Sequence, residues 1–239
     1  MSYRHVSKLF VAVLFCLTTS TISTQTTEGE NQLHWHDLGV KLVALRSMGI
    51  PDGEIINTRL VIDNLSRVEI KPSLISNAGK GVFATMDCKE GELLTCYPGD
   101  VLLQNSGFTG LPDDLKNDED KLQSRLSRYC IGVTDDYAIM GLPELDQDMA
   151  YVGHMINDAA RPPVTEADLE NYTTESDRLA NAEIVSLEDL HMVAIATRDI
   201  KKGEEIYGSY GIQYWTDHTD TWRGGKVQED EEFVFYVDV

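Results

Sequence analysis

Short runs of β-prone residues, separated by turns, occur in two stretches of the chain, one from residue 68 onwards and one from residue 183 onwards. Apolar residues in these runs alternate or cluster as they do in strands, and turns rich in Gly, Asn and Lys separate them. The predicted strands cover residues 68–70, 81–84, 92–95, 183–185, 192–196 and 205–207. Because no helical crossover lies between neighbouring runs, the pattern predicts a mainly β fold with a Greek-key-like or knotted chain course.

Helical patterning is confined to shorter segments. Apolar residues recur at helical spacing over residues 35–48, and glycine and proline follow them, which predicts a helix that ends there. The other segments expected to be helical are residues 54–65, residues 115–129 and the polar, acid-rich insertion 161–179, which we expect to form a surface loop or short helix. With these small helical additions the predicted fold class is α+β overall.

One stretch of sequence occurs twice. Residues 83–92 (FATMDCKEGE) and 195–204 (IATRDIKKGE) share an Ala-Thr-x-Asp-x-Lys-x-Gly-Glu core. The repeat predicts one strand–turn–strand unit used twice, as in a duplicated β-clip. A non-enzymatic β-clip module has the same repeat, so it supports a fold more than a function.

Composition limits the classes of partner. The chain has 239 residues, 42% hydrophobic and 25% charged, which suits one principal core with appendages. Its formal net charge of −20 argues against nucleic acid or an anionic membrane as a direct partner, because their phosphates would be repelled. A cationic partner such as a lysine-rich protein tail fits better, although an acidic surface also serves solubility alone.

The first residues differ from the rest of the chain. Arg4 and Lys8 precede an apolar run over residues 9–17, and no acidic residue occurs before Glu28. This layout is typical of a secretory signal peptide; a transit peptide for an organelle and a hydrophobic helix that packs on the domain are the alternatives. The run is too short to span a bilayer, so we expect no membrane association once residues 1–25 are removed.

Cysteine usage favours a reducing compartment. Apart from Cys16 in the apolar run, the chain contains Cys88, Cys96 and Cys130, an odd and sparse set that indicates no disulfide framework. No pair has Cys-x-x-Cys spacing, so no metal site is predicted. The leader therefore suggests the secretory pathway or an organelle, whereas cysteine usage suggests the nucleus, the cytoplasm or the interior of an organelle.

Three segments carry candidate chemistry: residues 75–84 (ISNAGKGVFA), 153–158 (GHMIND) and 200–211 (IKKGEEIYGSYG). Glycines in the first let backbone approach a ligand closely, although alone they indicate only a turn. Asn157 in the second must satisfy both donor and acceptor groups if it is buried, or it is simply a turn residue. Aromatic residues in and after the third would by themselves indicate packing.

In order and rough spacing these segments resemble the SET domain of protein lysine methyltransferases, over about residues 68–215. The resemblance implies a β-clip SET fold of the compact type, without cysteine-rich zinc modules before or after it. It implies S-adenosyl-L-methionine as the cofactor. The cofactor-binding residues it implies in the first segment are Gly79, Lys80, Gly81 and Val82.

The middle segment departs from the family. Family members carry Asn-His-Ser-Cys where this chain has Asn157-Asp158-Ala159-Ala160. The resemblance implies that Asn157 binds the amino-acid end of the cofactor. Asp158 retains a backbone amide and carbonyl for adenine, but the histidine is lost.

The third segment resembles the terminal Gly-Glu-Glu-Ile-x-x-x-Tyr-Gly motif of the family most specifically. The resemblance implies that Tyr210 is the active-site tyrosine and also contacts the cofactor, and that Tyr214, Trp215 and Tyr129 contact the substrate lysine. Such a site desolvates the lysine amine, which lowers its pKa, and aligns it with the methyl group without a metal.

The resemblance therefore implies a protein-lysine N-methyltransferase, with histone lysine as a candidate target. The acidic net charge favours a basic, lysine-containing protein as the substrate. A catalytically inactive SET-fold binding module and a secreted β-clip protein without cofactor are the alternatives. The expected organisation is a leader (1–25), a helical segment (26–66), a SET domain (67–215) and an acidic and aromatic tail (216–239). The SET domain carries the insertion at 161–179, and an edge strand is expected near the end of the tail at 233–237.

Overall fold

Three small antiparallel sheets form the body of the protein. The computed structural model describes residues 35–60, 62, 65–163 and 166–222, so the predicted leader and edge strand lie outside the described residues. The strands are β1 (Val68–Pro72), β2 (Lys80–Ala84), β3 (Leu93–Tyr97), β4 (Val101–Gln104), β5 (Gly107–Thr109), β6 (Cys130–Thr134), β7 (Tyr137–Met140), β8 (Ala182–Leu187), β9 (His191–Ala196) and β10 (Glu205–Ile206). The predicted mainly β, α+β fold class is confirmed, and each strand predicted within the described residues is present.

The sheets join strands that are distant in sequence. Their strand orders are β1-β2-β10, β3-β9-β8 and β5-β4-β7-β6. In the first two sheets, apolar side chains from both ends of the chain share one core, because Val82, Leu94, Ala194 and Ile206 are all fully buried in it. Burial of this apolar surface holds the C-terminal segment against the N-terminal strands.

The repeated sequence forms two clips that pair with each other reciprocally. Cys88 and Ile200, which occupy equivalent positions in the repeat, exchange backbone hydrogen bonds of 2.8 and 2.9 Å. The Lys89 ammonium pairs with Asp199 and the Lys201 ammonium with Asp87, each at 2.9 Å. The predicted repeat is therefore a pair of clips related by an approximate twofold arrangement, and each clip completes the backbone hydrogen bonding of the other.

The N-terminal helices end earlier than the sequence pattern suggests. Helix α1 covers Trp35–Ser47, as predicted, but α2 covers only Asp52–Ile56, so the predicted helix over residues 54–65 is wrong beyond Ile56. After α2 the chain makes tertiary bonds instead: the peptide N–H of Leu60 donates to the Tyr151 hydroxyl at 2.6 Å. The Arg59 guanidinium binds both carboxylate oxygens of Asp100 at 2.7 and 2.9 Å. These contacts dock the segment on the β-sheet body of the protein.

A four-stranded sheet, β4 to β7, was not predicted from the sequence. The predicted helix over residues 115–129 is two helices, α3 (Asp113–Lys116) and α4 (Glu119–Tyr129), because Asp118 caps α4 by accepting a hydrogen bond from the Lys121 N–H at 3.0 Å. Both helices bury their apolar face on this sheet. The buried residues of this second core are Val101, Leu103, Leu111, Leu115, Leu122, Leu126, Ala138, Met140 and Leu142.

The acid-rich insertion contains helix α5 (Leu169–Leu179), preceded by a 3₁₀ turn over Glu166–Asp168. The expected surface loop or short helix is therefore a helix, but one face of it is buried, since Tyr172 and Ser176 have exposed fractions of 2% and 1%. Helix α6 (Gly211–Trp222) follows the third motif and was not predicted. Among the described residues, none of these helices has the length and apolar character needed to cross a bilayer.

Candidate active site

Asn157 joins all three sequence motifs. Its side-chain Nδ2 donates to the Lys80 carbonyl at 2.9 Å and lies 3.3 Å from the Glu205 Oε1. The backbone carbonyl of Asn157 accepts from the Gly208 N–H at 3.0 Å, within a parallel bridge between Asn157 and Tyr207. A single amide side chain therefore fixes β2 against the segment that leads to Tyr210.

Glu205 occupies the space beside Gly81. Its buried carboxylate accepts hydrogen bonds from the Ser73 hydroxyl and the Leu74 N–H, both at 2.7 Å, and from the Tyr207 hydroxyl at 2.9 Å. A Cβ atom on residue 81 would lie 2.0 Å from Oε1, so any larger residue there would have to move the Glu205 carboxylate. Burial, followed by this carboxylate, raises the pKa of Tyr207 to about 12.

The first motif forms a turn and the start of β2. Gly79 has a φ of +76°, which glycine tolerates without strain, and no side chain stands within 4 Å of where its Cβ would be. The Lys80 side chain extends outward to Asp146, with 2.5 Å between Nζ and Oδ2. Val82 is fully buried in the core, so only its backbone is available to a ligand.

Asp158 places its carboxylate inside the protein, where four groups donate to it. Oδ1 accepts from the Ala160 N–H at 2.9 Å, and Oδ2 from the Tyr172 hydroxyl at 2.6 Å and the Tyr210 N–H at 3.0 Å. The Ser176 hydroxyl lies 3.2 Å from Oδ2. The residue that replaces the family's histidine thus binds the insertion helix and the backbone of Tyr210.

Aromatic side chains cluster around Tyr210. Its ring centroid lies 4.7 Å from that of Tyr214, and Tyr214 stands perpendicular to Trp215 at 4.9 Å. The Tyr210 hydroxyl donates to the Ile156 carbonyl at 3.2 Å, although 38% of the residue's surface remains exposed. Burial of the hydroxyl end, then the neighbouring Tyr214 and Asp158, raises the pKa of Tyr210, so it is protonated at neutral pH. Burial also raises the pKa of Tyr214, the half-buried ring beside Tyr210.

Trp215 has a different environment. Its side chain is buried between α5 and α6, where it packs with Ala160 and lies edge-on to Tyr172 at a centroid distance of 6.0 Å. The resemblance assigns Trp215 to the substrate; in the structure its ring centroid lies 6.0 Å from that of Tyr210. In this position it supports the aromatic cluster.

The burial of His154 beside Tyr129 was not predicted from the sequence. It lies between Tyr97 and Tyr129, edge-on to both, with ring centroids 6.1 and 5.8 Å away. It is only 6% exposed, and neither ring nitrogen has a hydrogen-bond partner among the described residues. Burial lowers the pKa of His154 to about 4, so the imidazole is neutral at pH 7. A histidine before an apolar pair gives no sequence signal for such burial.

The backbone around Asn157 suits the cofactor that the motifs imply. Asp158 is 8% exposed, yet its peptide N–H and carbonyl make no hydrogen bond to the residues that the structure describes. Buried backbone groups of this kind require a partner. An adenine ring, which offers both a donor and an acceptor edge, would satisfy them, and the Lys80 ammonium suits a carboxylate. The residues present therefore fit S-adenosyl-L-methionine.

A β-clip body, an asparagine that links the glycine turn to a tyrosine-bearing segment, and an aromatic cluster beside it define a SET-type protein. The family model described as SET domain matches residues 79–211, more than half of the 239 residues. The chain therefore belongs to the SET-domain family, whose members are usually protein lysine methyltransferases that use S-adenosyl-L-methionine. A search of curated proteins found no matching relative.

Proposed function

We propose that this chain is a S-adenosyl-L-methionine-dependent protein-lysine N-methyltransferase, with histone lysine as one candidate target. The observation that carries the proposal is the double role of Asn157, whose side chain binds the Lys80 carbonyl while its backbone pairs with the Tyr207 segment. This arrangement brings the glycine turn, Asp158 and Tyr210 to one site. Each of them has a part in the chemistry.

For the cofactor, we assign the backbone of Gly79, Lys80, Gly81 and Val82, the Lys80 ammonium, Asn157 and the backbone N–H and carbonyl of Asp158. When bound, S-adenosyl-L-methionine supplies an electrophilic methyl group on a positively charged sulfur. Lys80 is 57% exposed at its side chain, so it can exchange Asp146 for the cofactor carboxylate at little cost.

For the lysine, we assign Tyr210, Tyr214 and Tyr129, with Trp215 behind them. A lysine ammonium that enters an aromatic site loses hydration, and burial lowers its pKa toward the neutral, nucleophilic form. The Tyr210 hydroxyl stays protonated, and its oxygen can accept a hydrogen bond from the amine while its hydrogen is donated to the Ile156 carbonyl. The rings restrict the direction from which the amine can approach the methyl group. Holding the reacting atoms in line in this way raises the rate of transfer.

The acidic character of the protein favours a basic substrate. A formal charge of −20 steers a Lys-rich or Arg-rich chain toward the protein and repels nucleic acid. Basic protein tails are therefore the acceptors to test first, and nucleic acid is not proposed as a direct partner.

One observation favours a second candidate, a SET-fold binding module without activity. Asp158 stands where family members carry histidine, and its carboxylate already accepts hydrogen bonds from the Tyr172 hydroxyl and the Tyr210 N–H. Loss of the histidine imidazole removes one group from the adenine side. The two candidates differ in whether the cofactor binds.

Isothermal titration calorimetry of the full chain with S-adenosyl-L-methionine distinguishes them. We expect saturable binding that Asn157→Ala abolishes and that Thr174→Ala, on the exposed face of α5, leaves unchanged. Absence of binding at millimolar cofactor by the folded wild-type protein would contradict the methyltransferase proposal and favour the binding module.

A further inference from the structure

The backbone of Tyr210 is held by a side chain of the second motif, which in turn contacts helix α5 outside the motifs. Tyr210 lies between β10 and α6, three residues beyond the isolated bridge of Tyr207 to Asn157. Its N–H donates to Asp158 Oδ2 at 3.0 Å, and the next residue, Gly211, has a φ of +80° and donates to the Ser209 hydroxyl at 3.3 Å. The conformation of this turn therefore depends on side-chain acceptors.

Helix α5 of the insertion supplies the groups that fix those acceptors. The Tyr172 hydroxyl donates to the same Oδ2 of Asp158 at 2.6 Å. The Ser176 hydroxyl lies 3.2 Å from Oδ2 and 2.8 Å from the Ser209 hydroxyl. Tyr172 and Ser176 stand one helical turn apart on α5, so both reach Asp158 from a single face.

The same helix also supports the ring side of the cluster. Tyr172 packs edge-on against Trp215 with 6.0 Å between centroids, and Trp215 stands 6.0 Å from the Tyr210 ring. One residue of the insertion thus contacts Asp158 through its hydroxyl and Trp215 through its ring. Buried hydrogen-bond networks of this kind rigidify what they contact when every member is satisfied.

We propose that Asp158, Tyr172 and Ser176 are positioning residues, through which the insertion helix α5 fixes the backbone and thereby the ring of Tyr210. The inference rests on the proposed function for its effect on catalysis, but the effect on the Tyr210 backbone is independent of it. It also accounts for the aspartate in the second motif, because a carboxylate accepts from several donors at once whereas a neutral imidazole accepts from one.

Tyr172→Phe tests the proposal with little risk to folding, because it keeps the ring contact with Trp215 and removes only the hydroxyl. Two quantities are measured on the full chain: methyl transfer to a Lys-rich acceptor peptide under steady-state conditions, and hydrogen exchange at the Tyr210 amide by nuclear magnetic resonance. We expect kcat to fall about tenfold with the KM for the cofactor unchanged, and the Tyr210 amide to exchange about tenfold faster. Asp158→Asn, which places an amide N–H₂ against the Tyr172 hydroxyl and the Tyr210 N–H, should give larger changes in kcat and in the exchange rate.

Thr174→Ala is the matched control, since Thr174 lies on the exposed face of α5. It should leave both quantities unchanged. If Tyr172→Phe leaves kcat and the exchange rate within twofold of wild type, or if Thr174→Ala causes the same losses, the proposal is overturned. Should wild type transfer no methyl group, the proposed function fails, and the Tyr210 exchange rate alone decides whether the insertion positions Tyr210.

Discussion

A Cβ atom on Gly81 would lie 2.0 Å from the Oε1 of Glu205. Glu205 of β10 pairs with Phe83, two residues beyond Gly81 on β2, and several donors fix its side-chain carboxylate. A side chain at position 81 must therefore displace this buried carboxylate from its donors. The close approach of strand and carboxylate explains why the first motif needs glycine at this position.

Gly81→Ala should lower the free energy of unfolding by about 1–3 kcal/mol, because the added methyl group forces the Glu205 carboxylate from its donors. Chemical denaturation measures the change. Gly53→Ala is the control, because a Cβ there would meet only Leu102 at an ordinary 3.5 Å and α2 tolerates alanine. Equal stability of Gly81→Ala and wild type would contradict the described contact.

Acid should destabilise the protein through two buried histidines. Burial lowers the pKa of His154 and of His191 from 6.5 to about 4. The unfolded chain therefore binds protons that the folded protein does not, and the free energy of unfolding should fall between pH 6.5 and pH 4. The loss reaches about 3 kcal/mol per histidine.

Denaturation midpoints across this pH range measure that loss. His154→Phe, which keeps a ring between Tyr97 and Tyr129, should flatten the dependence of stability on pH by about half. An unchanged dependence in this variant would show that His154 is not buried in its neutral form.

The N-terminal segment should stabilise the SET body mainly through Arg59. Its guanidinium binds both oxygens of Asp100, whose side chain is 6% exposed and also accepts the Leu142 N–H at 2.9 Å. Arg59→Ala should cost about 2–4 kcal/mol of unfolding free energy, because it leaves Asp100 buried without its cation. Arg59→Lys keeps the charge but not the paired geometry, and should cost less. Equal losses in the two variants would contradict this role.

The two clips should contribute equally. Asp87 and Asp199 each accept from a lysine and from a peptide N–H of the opposite clip, and these bonds lower the pKa of both carboxyl groups. Asp87→Ala and Asp199→Ala should therefore lower the denaturation midpoint at neutral pH by similar amounts, with Asp135→Ala as a control in the β6–β7 turn.

Protonation of Asp87 and Asp199 should abolish the difference in stability between wild type and the two alanine variants. Since a lowered pKa adds stability above the ordinary carboxyl range and loses it below, the variants and wild type should converge in acid. A large effect of one aspartate and none of the other would contradict the twofold arrangement of the clips.

The repeat at residues 83–92 and 195–204 predicted a strand–turn–strand unit used twice, because local sequence dictates such a unit, but it did not predict that the two units pair with each other. Asn157 and Tyr210 were identified because their motifs resemble a family, not because their chemistry is visible in the sequence. The roles assigned to both remain predictions. Their proximity comes from the pairing of segments distant in the chain.

Other features had no local signal. The partners of Asp158 come from an insertion whose polar sequence suggests a solvated surface, so Tyr172 could not be assigned to the site. Likewise, the burial of His154 depends on Tyr97 and Tyr129, which arrive from a strand and a helix distant in sequence. Strands β4 to β7 are short, and tertiary packing against α3 and α4 decides their structure.

The most direct test of the account is mass spectrometry of a Lys-rich acceptor peptide after incubation with the full chain and S-adenosyl-L-methionine. The account predicts a mass gain of one or more methyl groups on lysine, strongly reduced in Tyr210→Phe and retained in Thr174→Ala. Absence of methylation across a set of basic acceptors, in a protein that binds the cofactor, or full activity of Tyr210→Phe, would contradict the assignment of Tyr210 as the active-site tyrosine of a lysine methyltransferase.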